Sequence, residues 1–254
     1  MNILNFSKIF TIILAIFFSS VNTYTTYTAI AQEYIFSQES INTINRENTI
    51  CSVPAEIPKE LETAFNEATR NIPCQLLQTL EVVEIFEDET KNLPRAMANA
   101  RILKVRKDAI SEKEIVSVLI HELAHVVDLG GLTGTYTPEN SNISDFKDGS
   151  LQFYNDDLSL MFYQISWTPK SQKAHSTTLD FVGGYAKYDM FEDFSESFLL
   201  YIQHGNYFKA LALQNKALRD KYVFFKFYIF NGKEFHTGTV PENLLIRNWD
   251  ITRL

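Results

Sequence analysis

The stretch SVLIHELAHVVDL, from Ser117 to Leu129, contains residues whose types and spacing suit metal chemistry. His121 and His125 are four positions apart, so on a helix of 3.6 residues per turn their side chains lie on the same face. Two imidazoles so placed can bind one Zn²⁺, and Glu122 can act as general base towards a water molecule. The pattern predicts a zinc site that activates water. The alternative is two helix histidines without a metal.

The residues around HELAH predict a buried helix. Ser111 and Glu114 have the spacing of a capping box, which places the helix start near Ser111. Six apolar residues between positions 115 and 123 cover the helix nearly all round, and Gly130-Gly131 predicts the helix end through the left-handed conformation that glycine adopts cheaply. The six are Ile115, Val116, Val118, Leu119, Ile120 and Leu123. Two histidines and a glutamate on such a helix need polar partners. Metal binding would satisfy both histidines.

A catalytic zinc site uses three protein ligands and one open position. Asp128 and Gly131 stand where the pattern HExxHxxGxxH requires Gly and His, so the third ligand must come from elsewhere. The other histidines are weaker candidates, because His175 and His236 fall in predicted loops and His204 at a helix C-terminus, where a cation suits the dipole.

Two carboxylates downstream are better candidates for the third ligand. Glu192 and Glu196 are four positions apart on a helix predicted from about Met190 to His204, and therefore share one face. A solvated acidic face is the alternative. Their position beside a phenylalanine-rich apolar stripe favours the site, although spacing alone does not decide which of the two binds the metal.

HELAHVVD followed by GGYAKYDMFEDFSESF resembles the gluzincin metallopeptidases related to the catalytic domain of anthrax lethal factor, a group that includes the secreted Pro-Pro endopeptidases. The resemblance covers roughly residues 80–205. It implies an α+β, zincin-like domain with a small sheet, an active-site HExxH helix and a C-terminal helical subdomain. It also implies that the strand at residues 100–106 forms the cleft edge, where an extended peptide pairs main chain to main chain.

The same resemblance assigns the metal ligands. His121, His125 and Glu192 would bind one zinc ion, and Glu196 would accept a hydrogen bond from a ligand histidine and fix its tautomer.

Roles for three further residues follow from the resemblance and from helix geometry. Glu122 would deprotonate water and later protonate the leaving amine, and Tyr185 would donate a hydrogen bond to the oxyanion. Asp128, seven positions after His121 and on the same helix face, is expected to support a ligand or the helix end in preference to binding zinc directly.

The N-terminal residues predict a secretory precursor. Residues 1–31 combine Lys8, an apolar stretch at 9–21 and an A-x-A site at Ala29–Ala31, which together are typical of a signal peptide. An uncleaved anchor is the alternative. Residues 32–50 are polar and predict a flexible mature N-terminus, followed by a metallopeptidase domain at 51–254. We therefore expect a secreted protein, extracellular or periplasmic, without stable membrane association after signal cleavage.

Cys51 and Cys74 are the two cysteines of the chain. In an oxidising compartment they predict a disulfide that contributes about 3 kcal/mol, with two buried free thiols as the alternative.

The charge balance narrows the partners. A formal net charge of −8 argues against nucleic acid and against binding to an anionic membrane. We expect a peptide or protein substrate and a monomeric, secreted zinc metalloendopeptidase. Alternatives are a catalytically inert zinc-containing module, toxin-like or binding, and a zinc hydrolase of non-peptide amides such as cell-wall material.

Periodicity predicts the remaining elements. They are a helix opened by Pro58, a strand at 80–86, no clear elements at 133–150, a short helix near 158–165, helices over 208–230 ended by Asn231-Gly232, and short strands or loop from 233 to 254.

Overall fold

A computed structural model gives the structure of residues 51–135 and 143–254. These residues fall in one compact unit, Ile50–Leu254. The predicted signal peptide at 1–31 and the predicted flexible segment at 32–50 lie outside the described residues. None of the helices in the described ranges is long and apolar enough to cross a membrane.

A small three-stranded sheet supports the histidine helix. Strand β1, Val82–Phe86, runs parallel to β3, Ile102–Arg106, and β2, Ala96–Ala98, pairs with β3 from the other side in antiparallel register. Leu103 and Val105 alternate along β3 and are fully buried. Since β3 is the central strand, the expectation that it forms the cleft edge is wrong, and β2 forms that edge.

The HELAH motif lies on helix α2, Ile115–Val126, while the first helix, α1, spans Glu62–Thr69. The predicted capping box at the start of α2 is wrong. The N-cap residue is Glu114, without a side-chain cap, and Ser111 ends a preceding 3₁₀ turn, where its hydroxyl donates to the Asp108 carbonyl. The extended backbone at Glu112 separates the two helical segments.

Helix α2 continues into a π-helical turn, Val127–Gly131, so the helical segment does end at the predicted glycines. The predicted reason is wrong, because neither glycine has a positive φ. A Cβ on Gly130 would lie 2.2 Å from Thr79 Oγ1, and one on Gly131 would lie 2.3 Å from the Leu76 carbonyl oxygen. These glycines permit close packing against the chain before β1.

The C-terminal half is helical around an aromatic core, as predicted. Tyr201 stacks on Phe230 with ring centroids 5.1 Å apart, and Phe194 contacts Phe225 at 5.3 Å. The chain then turns at Asn231 and Gly232, both with positive φ. The helices are α3, Ser159–Ser166, α4, Met190–Gln203, α5, Gly205–Gln214, and α6, Lys216–Phe224, which continues as a π-helical turn, Phe225–Ile229.

Two hairpins complete the fold. Strand β4, Ile143–Asp148, pairs with β5, Leu151–Tyr154, so the expectation of no elements at 133–150 is wrong for its second half. The sequence of β4 has only a weak strand pattern, because the strand buries a single residue, Phe146, which packs on Tyr163. The second hairpin joins β6, Trp167–Thr168, to β7, Ser171–Gln172.

Cys51 and Cys74 form the predicted disulfide, with their Cα atoms 5.3 Å apart. It ties the first described residue to the 3₁₀ turn Cys74–Leu77, on which the end of the histidine helix packs.

Taken together, these elements give the described residues a mixed α+β structure with small sheets and a helical C-terminal half.

Candidate metal centre

Helix α2 places three polar side chains of the motif in buried positions. His121, Glu122 and His125 are only 6%, 7% and 8% exposed. The two imidazoles lie side by side, with ring centroids 5.1 Å apart, as their spacing on a helix requires. Apart from Ser117, the remainder of α2 is apolar and packs into the core.

Helix α4 brings the carboxylate of Glu192 to the histidines. The Asp189 carboxylate caps this helix by accepting hydrogen bonds from the amides of Phe191 and Glu192, at 2.9 and 2.8 Å. Glu192 Oε2 then lies 3.0 Å from His121 Nε2 and 3.7 Å from His125 Nε2. The ligand atoms of the three residues all lie within 4.8 Å of one another.

This donor set fits a metal ion. Tetrahedral coordination with bonds of about 2.0–2.1 Å separates neighbouring ligand atoms by about 3.4 Å, close to the 3.0 and 3.7 Å that separate Glu192 Oε2 from the two Nε2 atoms. Glu192 Oε2 is also buried without a hydrogen-bond partner among the described residues, which would be costly unless a cation lies beside it. His121, His125 and Glu192 therefore form a possible metal-binding triad.

Charge couples the members of the triad. Burial disfavours ionisation of Glu192, but the two imidazoles outweigh it and hold the pKa of its carboxyl well below the usual range. Burial likewise disfavours a charged His121, yet the carboxylates of Glu192 and Glu196 raise its pKa well above the usual value. A proton therefore competes with a metal for His121.

Glu196 lies one turn further along α4 and faces the other nitrogen of the first histidine. Its Oε1 is 3.4 Å from His121 Nδ1, while its Oε2 accepts a hydrogen bond of 3.0 Å from the Ile251 amide. The side chain is fully buried, and burial raises its pKa. Glu196 thus contacts a triad histidine without joining the triad.

Glu122 and Tyr185 line the same cleft as the triad. Burial raises the pKa of Glu122, partly opposed by the adjacent histidines. The Tyr185 hydroxyl donates to Glu192 Oε1 at 3.1 Å, from a 3₁₀ turn, Tyr185–Lys187, just before α4. Burial and the Glu192 carboxylate raise the pKa of Tyr185, so its phenol stays protonated at neutral pH.

Asp128 is not a member of the triad, and its hydrogen bonds are with α3. Its Oδ2 accepts a hydrogen bond of 2.6 Å from the Tyr163 hydroxyl, and its carbonyl oxygen accepts one of 3.0 Å from Ser159. Burial raises the pKa of Asp128 to about 7. The geometry ties the end of the histidine helix to α3, in keeping with the predicted helix-end role.

The triad opens into a cleft of about 500 Å³. Residues 93–98, which include β2, line one wall, and the Asp148 end of the β4–β5 hairpin and the start of α4 line others. Pairing of β2 with β3 uses one edge of β2, and no strand among the described residues pairs with its other edge. An extended chain lying there could pair with this strand.

The sequence pattern gave no indication of the remaining cleft residues. Arg95, Asp250 and Thr252 line the cleft, although Arg95 and Asp250 are 155 positions apart in the sequence. None of them belongs to a recognisable motif, so long-range packing alone reveals them.

The predicted cation at His204 is not supported, because burial lowers the pKa of this residue.

Comparison of the chain with protein-family models, with curated proteins and with solved structures finds no match.

Proposed function

We propose that this protein is a secreted zinc metalloendopeptidase of the gluzincin type. The observation that carries the proposal is the convergence of His121 Nε2, His125 Nε2 and Glu192 Oε2 in one cleft with the carboxylate of Glu122. The motif resemblance and the α+β architecture support the same function and a zincin-like fold.

His121, His125 and Glu192 would hold the ion, and borderline-soft nitrogen ligands with one carboxylate suit zinc. When bound, zinc supplies Lewis-acid polarisation and a lowered pKa for water.

The chain's own residues then divide the work of peptide hydrolysis. Glu122 accepts the proton of the attacking water and passes it to the leaving amine. A general base works best when its pKa lies near the pH of the reaction, and burial shifts the pKa of Glu122 upwards in that direction. Tyr185, protonated at neutral pH, donates a hydrogen bond to the oxyanion that develops on the scissile carbonyl. Glu196, beside His121 Nδ1, orients that imidazole.

The substrate in this proposal is an extended peptide. The edge of β2 that pairs with no described strand would offer main-chain donors and acceptors along the cleft, which suits a peptide better than a compact or branched molecule. Pairing with the edge would hold the scissile carbonyl between Glu122 and Tyr185.

Elemental analysis tests the metal part of the proposal. The mature chain should contain one zinc ion per molecule, and His121→Ala and His125→Ala should each lose it, because each removes one of three ligands. Equal zinc contents in the wild type and both variants would contradict the assignment.

A mass-spectrometric digest of a peptide library tests the reaction class. The wild type should cleave internal peptide bonds, and chelation should stop cleavage until zinc is restored. A zinc-loaded wild type that cleaves no peptide would support an inert module or a hydrolase of non-peptide amides instead.

Secretion is part of the proposal. The Cys51–Cys74 disulfide supports export, because disulfides persist in oxidising compartments. The size of the secreted chain tests it: cleavage after Ala31 would leave residues 32–254.

A further inference from the structure

Five residues near the end of the chain, 248–252, make three sets of contacts around the candidate site; we refer to them as the C-terminal segment. The first contact is with the turn that carries the tyrosine. The Gly184 amide donates to the Asn248 carbonyl at 2.8 Å, and the Tyr185 amide donates to the Trp249 carbonyl at 2.6 Å. Two adjacent main-chain hydrogen bonds thus fix the backbone of Tyr185.

The glycine pair before the tyrosine permits this approach. A Cβ on Gly184 would lie 2.3 Å from Trp249 Cε3. A Cβ on Gly183 would lie 2.9 Å from Glu196 Oε2 and 3.2 Å from the Asn248 carbonyl oxygen. Side chains at either position would separate the C-terminal segment from the turn.

The second contact is with the carboxylate behind the first histidine. The Ile251 amide donates to Glu196 Oε2 at 3.0 Å, and Ile251 itself is 1% exposed. The other oxygen, Oε1, has no hydrogen-bond partner within the described ranges and faces His121 Nδ1. The Ile251 amide therefore anchors one end of the carboxylate and leaves the other end aimed at the imidazole.

The third contact is with the chain that enters β2. Arg95 donates to Asp250 Oδ2 at 2.9 Å and to the Thr252 hydroxyl at 2.6 Å. Asp250 also accepts from the Thr252 amide at 2.8 Å, which holds the segment in its own turn. The wall of the cleft beside β2 is thus joined to the segment that holds Glu196 and Tyr185.

From these contacts we infer that the C-terminal segment is a positioning element of the metal centre, and that the main-chain amide of Ile251 is its central group. The inference rests on the proposed function and adds to it a group that acts through Glu196 on His121. Loss of this amide frees the Glu196 carboxylate to rotate away from His121 Nδ1. Metal affinity should then fall, because partners that orient ligand histidines contribute to it.

Ile251→Pro removes this amide hydrogen with little disturbance of the backbone. Ile251 is the first residue of a 3₁₀ turn, Ile251–Arg253, where the fixed φ of proline is tolerated. Asp250 before it is extended, at φ −128° and ψ 117°, as a residue preceding proline must be. Ile251→Ala is the matched control, because it keeps the amide and removes at least as much buried apolar side chain.

The experiment measures the dissociation constant for Zn²⁺ by chelator competition, with melting temperatures in parallel. Ile251→Pro should bind zinc about tenfold more weakly than Ile251→Ala. In a Glu196→Ala background the two substitutions should give equal affinities, because the carboxylate through which the amide acts is absent. If the Ile251 amide had only a structural role, the loss of zinc affinity would follow the fall in melting temperature. The difference between the two substitutions would then remain in the Glu196→Ala background.

Failure of this inference is distinguishable from failure of the proposed function. Equal zinc affinities for Ile251→Pro and Ile251→Ala, with a zinc-binding wild type, would overturn the positioning role alone. A persistent difference in the Glu196→Ala background would overturn the route through Glu196. A wild type that binds no zinc would overturn both proposals.

Discussion

Glu192 and Glu196 share one helix face, yet they meet different atoms. Glu192 Oε2 lies between the two Nε2 atoms, whereas Glu196 Oε1 faces His121 Nδ1. Glu192→Ala should therefore remove zinc, because it deletes a ligand, while Glu196→Ala should weaken affinity about 10–100-fold. Chelator competition ranks the two variants, and the reverse ranking would exchange their roles.

The spacing of the motif predicted His121 and His125 as a pair, but only the family resemblance, and not the spacing, assigned Glu192 instead of Glu196 as the third member of the triad. Positions four apart on a helix point the same way, so spacing carries no information about depth in the cleft. The structure separates the two residues because Glu192 lies in the first turn of α4, capped by Asp189, and Glu196 lies one turn deeper. The Asp189 cap depends on a local sequence motif, but the depth of each glutamate in the cleft depends on how α4 packs against α2.

At the scale of elements, the Gly183-Gly184 turn and the C-terminal segment must fit closely. Gly183→Ala should weaken zinc binding, because its Cβ would press on Glu196 Oε2 and on the Asn248 carbonyl. Chelator competition measures this effect.

The control for this substitution is Gly232→Ala. Gly232 has φ +83° and nothing within 4 Å of a Cβ, so alanine there costs stability through backbone strain alone. The control should lower the melting temperature and leave zinc affinity unchanged. Unchanged zinc affinity in Gly183→Ala would contradict the close fit.

Helical periodicity predicted α2 and α4 well, because long apolar stripes specify buried helices. Short elements were missed. Strand β2 has three residues, Ala-Met-Ala, and β4 buries one phenylalanine, so neither has a recognisable alternation. The capping-box prediction failed because Ser111 bonds within its own 3₁₀ turn, a local alternative that the same residues permit.

At the scale of the whole molecule, Glu234 joins the final loop to two helices. It accepts hydrogen bonds from Tyr222 at 2.7 Å and Lys209 at 3.1 Å, and pairs with Lys226 at 3.1 Å. The hydrogen bond from Tyr222, with these lysines, lowers the pKa of Glu234 from 4.5 to about 2. A depressed carboxyl pKa stabilises the fold above the unfolded value, and the contribution is lost as pH falls towards the folded one.

Glu234→Gln should therefore lower the melting temperature at pH 7 by about 2–4 °C, equivalent to about 1 kcal/mol for a domain of this size. The difference from the wild type should shrink as the pH falls from about 4.5 towards 2, because the wild-type carboxylate then becomes protonated. Thermal melts across this range measure it. A difference that does not change with pH would rule out the charge as its source.

Long-range contacts set the limit of sequence-based prediction for this chain. The resemblance covers roughly residues 80–205, whereas Asp250 and Ile251 reach the site from outside it. Nothing in the composition of the tail distinguishes these residues from an ordinary loop, because their role depends on the meeting of the tail with α4 and Arg95.

In the proposed mechanism, Glu122 acts on water beside a bound zinc ion without binding the metal. The measurement is a mass-spectrometric digest of a peptide library by wild type and Glu122→Gln, each with its zinc content determined, and with Tyr185→Phe as a graded comparison. All three proteins should contain equal zinc, Glu122→Gln should cleave only at background level, and Tyr185→Phe should cleave about 10²–10³-fold more slowly than the wild type. Cleavage by zinc-loaded Glu122→Gln at the wild-type rate would show that Glu122 is not the group that acts on water.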